Sequence, residues 1–418
     1  MLAALANIFK ITELRRKVIF TLAMFALFRM GTHIPVPGVN ASIIEQLFRN
    51  GNLFGLLDMF SGGALSKFSI FAMSITPYIN ASIILQLLKV VVPTLEQWSK
   101  EGEEGFKKTN KLTRYMAVAL GFIQAVGMAY GLRMAINNPG VFSYFLIAIS
   151  LTAGTMLLMW IGEQMTANGV GNGISLIIFA GIISRLPDGL KIIFQYLQAG
   201  TVNLLNVILF AAIALAMIVF VVIISQGVRK IPVQYAKRVV GKRAYGGHSS
   251  YIPLKVNQAG VIPIIFASSV LMFPATIAQF VDVPWVKAMG DIFRWGSVTH
   301  TVLYILMILF FTYFYTAVSL NIADMSENLK KNGGFVPGLR PGKTTTDYLD
   351  MVMSRITLAG AIFLSLIALM PNVIGWMTGI EGIYFGGTAL LIVVGVALDT
   401  MKQLESMIIM RHYHGFMK

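Results

Sequence analysis

Histidines, cysteines, paired carboxylates and glycine-rich turns are where chemistry would be sought first in a chain of 418 residues. The five histidines (His33, His248, His300, His412 and His414) contain no HExxH pair, and His412 and His414, two apart near the C-terminal end, read as tail residues rather than metal ligands. There are no cysteines, which excludes disulfides, thiol catalysis and thiolate metal sites. The stretch GVGNGIS (169–175) contains GxGxG, but a dinucleotide site needs a preceding strand and a βαβ unit. Here the glycines join two apolar runs, so a turn opening a helix is expected. No P-loop, GxSxG elbow or pair of carboxylates in a plausible cleft occurs. An enzyme is therefore not expected, and neither a cofactor nor a metal is implied.

The elements around these residues belong to a membrane protein. Hydrophobic residues make up 56% of the chain and charged residues 12%, with mean hydropathy +0.74; soluble domains carry roughly 25% charged residues. A hydrocarbon core of about 30 Å takes about 20 apolar residues per helix, and the long unbroken runs favour helices over the alternating strands of a barrel. Ten spans are predicted, at 18–36, 68–92, 115–136, 142–162, 174–197, 203–226, 258–281, 300–320, 356–376 and 384–404. The basic cluster before the first run resembles the start of a signal peptide. The run continues through Arg29 to HIPVPG without a small-residue cleavage site, so it is expected to stay as the first span.

Charge sets the orientation. With the N-terminus inside, the inner side holds four lysines and arginines before span 1, six around the 2–3 loop, seven in the 6–7 loop, five in the 8–9 loop and three in the tail. Seven (Arg49, Lys67, Arg133, Arg185, Lys191, Lys287 and Arg294) fall on the other side, and Arg29 lies inside span 1. The positive-inside rule then puts both termini in the cytoplasm. The net charge of +15 follows mostly from topology and is not evidence for nucleic-acid binding. Span centres are nearly free of ionisable groups: Glu163 and Asp399 lie near inner ends and Arg29 near an outer one. A secondary transporter, the alternative for a ten-span protein, usually places such groups at the midplane.

Two inner loops are longer than topology needs. Residues 225–257 read as a projecting hairpin, KIPVQYAKRVV and SSYIPLKV about a glycine-rich turn, with Lys237, Arg238, Lys242 and Arg243 near its tip. In 328–350, Arg340 stands between Pro337-Gly338 and Pro341-Gly342, turn residues that hold it outward. These charges either only enforce orientation or dock a large acidic or polyanionic cytoplasmic body. On the outer side, LFGLLDMF (53–60) is apolar but barely two helical turns long, and Gly62-Gly63 follows it before the second span.

The blocks FRMGTHIPVPG, MFSGGALSKFSIFAMSITPYINASIILQLL, GEQMTANGVGNGISLIIFAGI, PLKVNQAGVIPIIFASSVLMFPAT, NLKKNGGFVPGLRPG and YFGGTALLIVVGVALD resemble the SecY family, the central subunit of the bacterial protein-translocation channel. They run in the family's order over essentially the whole chain. The resemblance implies an all-α membrane fold of ten helices in two inverted five-helix halves, a clamshell around a central pore, with a short re-entrant plug helix. The corresponding segments are a cytoplasmic segment 1–17, an N-terminal half 18–200, a C-terminal half 201–404 with cytoplasmic loops 227–257 and 321–355, and a tail 405–418.

Residue roles follow from the same resemblance. The plug covers about 52–64, with Leu53, Phe54, Leu56, Leu57, Asp58 and Phe60 in the helix and Gly62 and Gly63 as its bend; Asp58 and Lys67 suit a wet funnel. Ile75, Ile79, Ile178, Ile265 and Ile392 match the pore ring, where stiff β-branched side chains form an apolar collar. From sequence alone, any one of these isoleucines would sooner face lipid or a neighbouring helix. The lateral gate lies between spans 2 and 7, with Asn80, Gln86, Asn257 and Gln258 as polar contacts and Pro263 and Pro274 favouring a bend in span 7. Arg340 matches an arginine needed for the motor ATPase SecA, and Lys242 and Arg243 match a basic pair that contacts SecA or ribosomal RNA, with no role for DNA. The implied partners are the SecE and SecG subunits, SecA, the ribosome, signal sequences, unfolded secretory chains and the lipid bilayer. The stretch SLNIADMSENLKK (319–331) lacks the family's frequent Asn-Pro run, and the tail MIIMRHYHGFMK departs from it too.

Overall fold

The structure is a computed structural model that describes residues 11–40, 42–44, 58, 61–235, 238–240, 243–245, 249–280, 297–379 and 387–415. Helices in chain order are α1 (Thr12–Gly31), α2 (Thr76–Val91), α3 (Pro93–Lys100), α4 (Glu103–Gly131), α5 (Val141–Asn168), α6 (Gly173–Ser184), α7 (Leu186–Gln198), α8 (Leu204–Gln226), α9 (Ile262–Phe280), α10 (Val298–Ser319), α11 (Ile322–Lys331), α12 (Lys343–Thr378) and α13 (Gly387–Gly415). Among the described residues, six helices are long and apolar enough to cross a membrane, or seven if the bent pair α2–α3 counts as one. The chain is a multi-pass membrane protein.

Two of the expected spans are not single helices. Span 2 is expected to run over 68–92, but residues 61–75 form successive turns and α2 begins only at Thr76. Phe68 (φ 45°) and Ser74 (φ 52°) sit in the left-handed region, which a continuous helix cannot contain. The backbone pairs elsewhere: Val36 N–H donates to the Phe68 carbonyl (3.0 Å) and Ile70 N–H to the Ile34 carbonyl (3.0 Å). At its other end α2 stops at Val92, whose extended backbone precedes Pro93, and the chain turns by 100° into α3. Span 5 is divided at Arg185 into α6 and α7, of 12 and 13 residues. Helices α4, α12 and α13, by contrast, run past the expected span ends.

Packing groups α1, α2, α4, α5 and α6 with one another, and α8, α9, α10, α12 and α13 with one another. The first group surrounds a core of Ala125, Ala129, Ile147 and Leu151 against Phe68 and Met73. The second is built on Phe266, Tyr304, Ile308, Phe311, Leu364 and Ile367. Helix α13 packs on α6, and α9 packs on α2 and α4, so the groups meet along two lines. Helix α8 buries almost nothing (Met217 and Val221 only), as a lipid-facing helix does.

The two long loops form one body. Strand β1 (Val228–Tyr235) pairs antiparallel with β4 (Ser249–Lys255), and β5 (Gly334–Phe335), from the other loop, joins the free side of β1. The short strands β2 (Arg238–Val240) and β3 (Arg243–Tyr245) pair beyond them. The hairpin is as expected; Gly241, Gly246 and Gly247 of its glycine-rich turn lie outside the described residues, and Val240 and Arg243 face each other in the β2–β3 pair. Ile231, Leu254 and Val336 close the sheet against Leu349 and Met353 of α12.

Candidate functional site: an apolar constriction between two helix groups

The five isoleucines come from four helix regions and gather in one apolar cluster. Ile75 precedes the first residue of α2, and Ile79 donates its N–H to the Ile75 carbonyl (3.1 Å), so the two stack one helical turn apart. Ile178 lies mid-α6, Ile265 in the first turn of α9 and Ile392 early in α13. Ile75, Ile178 and Ile392 are buried at 1%, 7% and 2% exposure, while Ile79 and Ile265 are partly buried against them. Phe28, Ala64, Phe71, Leu158, Met165 and Val396 are among the other buried members of the cluster, which come from both helix groups.

Local chemistry explains how α6 reaches this point. Gly171 takes φ 79° in GVGNGIS, and Asn172 caps the helix by accepting from the N–H groups of Ile174 (3.1 Å) and Ser175 (3.2 Å). The GxGxG stretch is therefore a turn and helix start, as expected. Of the histidines whose side chains are described, His33 Nδ1 lies 3.1 Å from Thr32 Oγ1 and 2.9 Å from the Arg29 carbonyl, and His300 is buried in the first turn of α10; the backbones of His412 and His414 belong to α13.

Of the expected plug residues, Leu53, Phe54, Leu56, Leu57 and Phe60 lie outside the described residues, whereas Asp58, Gly62 and Gly63 are described. Asp58 is not wet. It is 5% exposed and paired with Arg185, and its Oδ1 accepts from Ser66 N–H (2.8 Å) and Ser61 Oγ (3.3 Å). A carboxylate taken out of water needs such a set of partners. Lys67 is exposed. Gly62 (φ 66°) and Gly63 (φ 87°) bend the chain, and they also admit close approach. A Cβ at Gly62 would stand 3.0 Å from Gly181 Cα, and one at Gly63 3.1 Å from Arg185 Cζ.

The expected gate residues do not form one polar contact. Gln86 donates to Ser82 of its own helix (3.4 Å). Asn257 is buried beside Gly360 of α12, and Gln258 and Asn80 are partly buried. The polar residues are set apart because the junction of α2 with α9 is apolar. Ile79, Ile83 and Leu87 of α2 share a cluster with Val261, Ile262 and Ile264. Their spacing by four along α2 is the signal in the sequence that marks this face. Pro263 is buried at the start of α9; of Pro274 only the backbone, within α9, is described.

In the loop body Arg340 is exposed on a pinned backbone. Thr345 Oγ1 donates to its carbonyl (2.9 Å), Leu339 N–H to the Val336 carbonyl (3.0 Å) and Ser326 Oγ to the Gly342 carbonyl (3.2 Å). Gly338 (φ 84°) and Gly342 (φ 108°) take conformations that favour glycine on either side of it. Lys242 and Lys237 lie outside the described residues, and the backbones of Arg238 and Arg243 belong to β2 and β3. Beside this body, Lys331 donates to Glu327 across a turn of α11 (2.9 Å).

The sequence model of the SecY family matches residues 69–401. The protein translocase subunit SecY of Halalkalibacterium halodurans is 49% identical over the full length of both chains, and that of Bacillus subtilis 47%, also over both full lengths. That of Aquifex aeolicus is 42% identical over 99% of each chain. A solved protein conducting channel superposes with a TM-score of 0.66 at 19% identity, covering 94% of this chain and 92% of that one. A SecY protein whose plug domain is described as stabilising the closed state and maintaining a membrane seal superposes at 0.64, with 17% identity and the same coverage. Sec61 in a canine ribosome-channel complex superposes at 0.61, with 16% identity over 94% and 92%. Matched from end to end by such relatives, the chain belongs to the SecY family.

Proposed function

We propose that this chain forms the channel through which unfolded secretory polypeptides cross the bacterial plasma membrane, and from which hydrophobic segments leave sideways into lipid. One observation carries the reading: Ile75, Ile79, Ile178, Ile265 and Ile392, from four separate helix regions, converge on a single apolar cluster between two helix groups. Such a collar can close around a moving chain without hydrogen-bonding to it, and it resists ions by dewetting. The names of the full-length relatives support translocation, and none supports the transport of a small solute. The two halves, divided near residue 200, part along the α2–α9 line as a lateral gate. Residues about 52–64 stopper the channel from outside.

Both termini are cytoplasmic in this reading, supported by the asymmetry of lysine and arginine. The sheet carrying Arg340 and the β2–β3 tip is then the landing surface for SecA and the ribosome. A relative's description as part of a ribosome-channel complex supports the second. SecE and SecG complete the channel at its periphery, and energy comes from outside the chain. A stalled secretory chain should crosslink to a photoreactive probe at Ile79 or Ile265 and not to one at the lipid-facing Leu215 of α8. Equal labelling at all three positions would refute the conduit.

A further inference from the structure

Asp58 and Arg185 are the one place among the described residues where a nearly buried carboxylate meets an arginine from a distant part of the chain. Most other ion pairs here join neighbours along one helix, and all have both side chains more than a quarter exposed. Around this pair the bonds tie one short segment to the ends of α6 and α1. Arg185 Nη2 also donates to Ser66 Oγ (3.0 Å). The Gly62 carbonyl accepts from Arg29 Nη1 of α1 (2.8 Å) and from Ser184 Oγ of α6 (3.4 Å). Arg185 itself sits in the break between α6 and α7, and Asp188 Oδ2 lies 3.3 Å from its Nη1. The break therefore faces the Gly62–Gly63 bend with a guanidinium, and Arg29 does the same from α1.

We propose that Asp58 and Arg185 form a charge latch that holds Asp58 and residues 61–66 against the end of α6, with Arg29 as a second catch on the Gly62 carbonyl. This rests on the proposed plug and adds the contact that keeps it shut. The chemistry suits a reversible lock. Removing Arg185 strands the Asp58 carboxylate out of water, whereas removing Asp58 leaves a partly exposed Arg185 to Asp188 and frees the segment. The latch lies at the helix break, and of the described residues it holds only Ala64 belongs to the isoleucine cluster, so opening withdraws one small side chain and leaves the isoleucines packed on one another.

The test uses the full chain purified with its native membrane partners, reconstituted in vesicles and read by ion leak and by export of a reporter with a weakened signal sequence. Asp58→Asn and Arg185→Gln should each raise leak about tenfold, a shift in a closed–open balance expected when a buried pair is broken. The double variant should leak no more than either single one, and the exchange Asp58→Arg with Arg185→Asp should recover much of the seal. If a single variant fails to accumulate, the exchange decides: a sealed exchange supports the latch and a leaky one overturns it. Wild-type leak and unchanged reporter export in both single variants would also overturn the latch. Deleting residues 52–57 separates the two ideas: a leaky deletion beside tight single variants removes only the latch, whereas a tight deletion removes the plug reading itself.

Discussion

Gln234 and Phe335 stand opposite one another in the three-stranded sheet, although α9, α10 and α11 separate them in the chain. That pairing makes the two loops one rigid body, so Arg340 is presented by a sheet and not by a free loop. Arg340→Glu should therefore abolish motor-driven export while leaving membrane insertion and the fold intact, since the side chain is exposed and its carbonyl remains bonded to Thr345. Export measured in vesicles containing SecA, beside a protease map of the loops, checks this. Normal export would remove Arg340 from the docking surface.

Burial divides the five isoleucines into two kinds. Ile79 and Ile265 are partly buried, so serine there should be tolerated by the fold and read out as increased ion leak in planar bilayers. Ile75, at 1% exposure, is also part of the core, and Ile75→Ala should cost about 2–5 kcal/mol of stability. Its leak would then be confounded by lost packing. A leak that follows stability loss instead of position along the collar would contradict the constriction.

Much of this was readable before any coordinates, for definite reasons. Spans such as 203–226 and 300–320 are set by apolar runs that need no tertiary context, and α8 and α10 match them closely. The β1–β4 hairpin showed in its β-branched strands. Failures came where tertiary bonds override local pattern. The 61–75 segment is apolar enough for a helix, yet it pairs with residues 34–36 and turns at Phe68 and Ser74. Asp58 reads as solvated from its own segment because its partner, Arg185, lies far away in sequence. Strand β5 has only two residues and no periodicity to reveal it. The separation of Gln86 from Asn257 depends on helix rotation, which side-chain type alone does not fix.

Arg114 Nε and Glu163 Oε1 lie 2.8 Å apart and tie α4 to α5, with side-chain exposures of 51% and 27%. A pair this open is screened by solvent, so Arg114→Ala should cost no more than about 1 kcal/mol. Although α4 also packs on α9, the pair itself joins α4 to α5 within one group, so the seam between groups should respond little. Thermal denaturation in detergent should shift slightly, and export should stay at its original rate. A strong export defect at preserved stability would give this pair a gating role that its position does not suggest.

Asn257 gives the opposite expectation. It is 9% exposed, and its Oδ1 is buried and accepts no hydrogen bond among the described residues. A buried acceptor without a donor carries a desolvation cost, which a leucine of the same branched shape would remove. Asn257→Leu should therefore raise thermal stability, by up to about 1–3 kcal/mol, and hold the start of α9 more firmly against α12 at Gly360. If α9 must move away from α2 to release a hydrophobic segment, the same substitution should slow membrane insertion of a model signal-anchor protein. Secretion of a chain with a strong signal should slow less, because binding energy from that signal offsets the added closure. A destabilised Asn257→Leu variant would mean that the amide has a partner in the membrane-embedded complex, and the sign of this prediction would reverse.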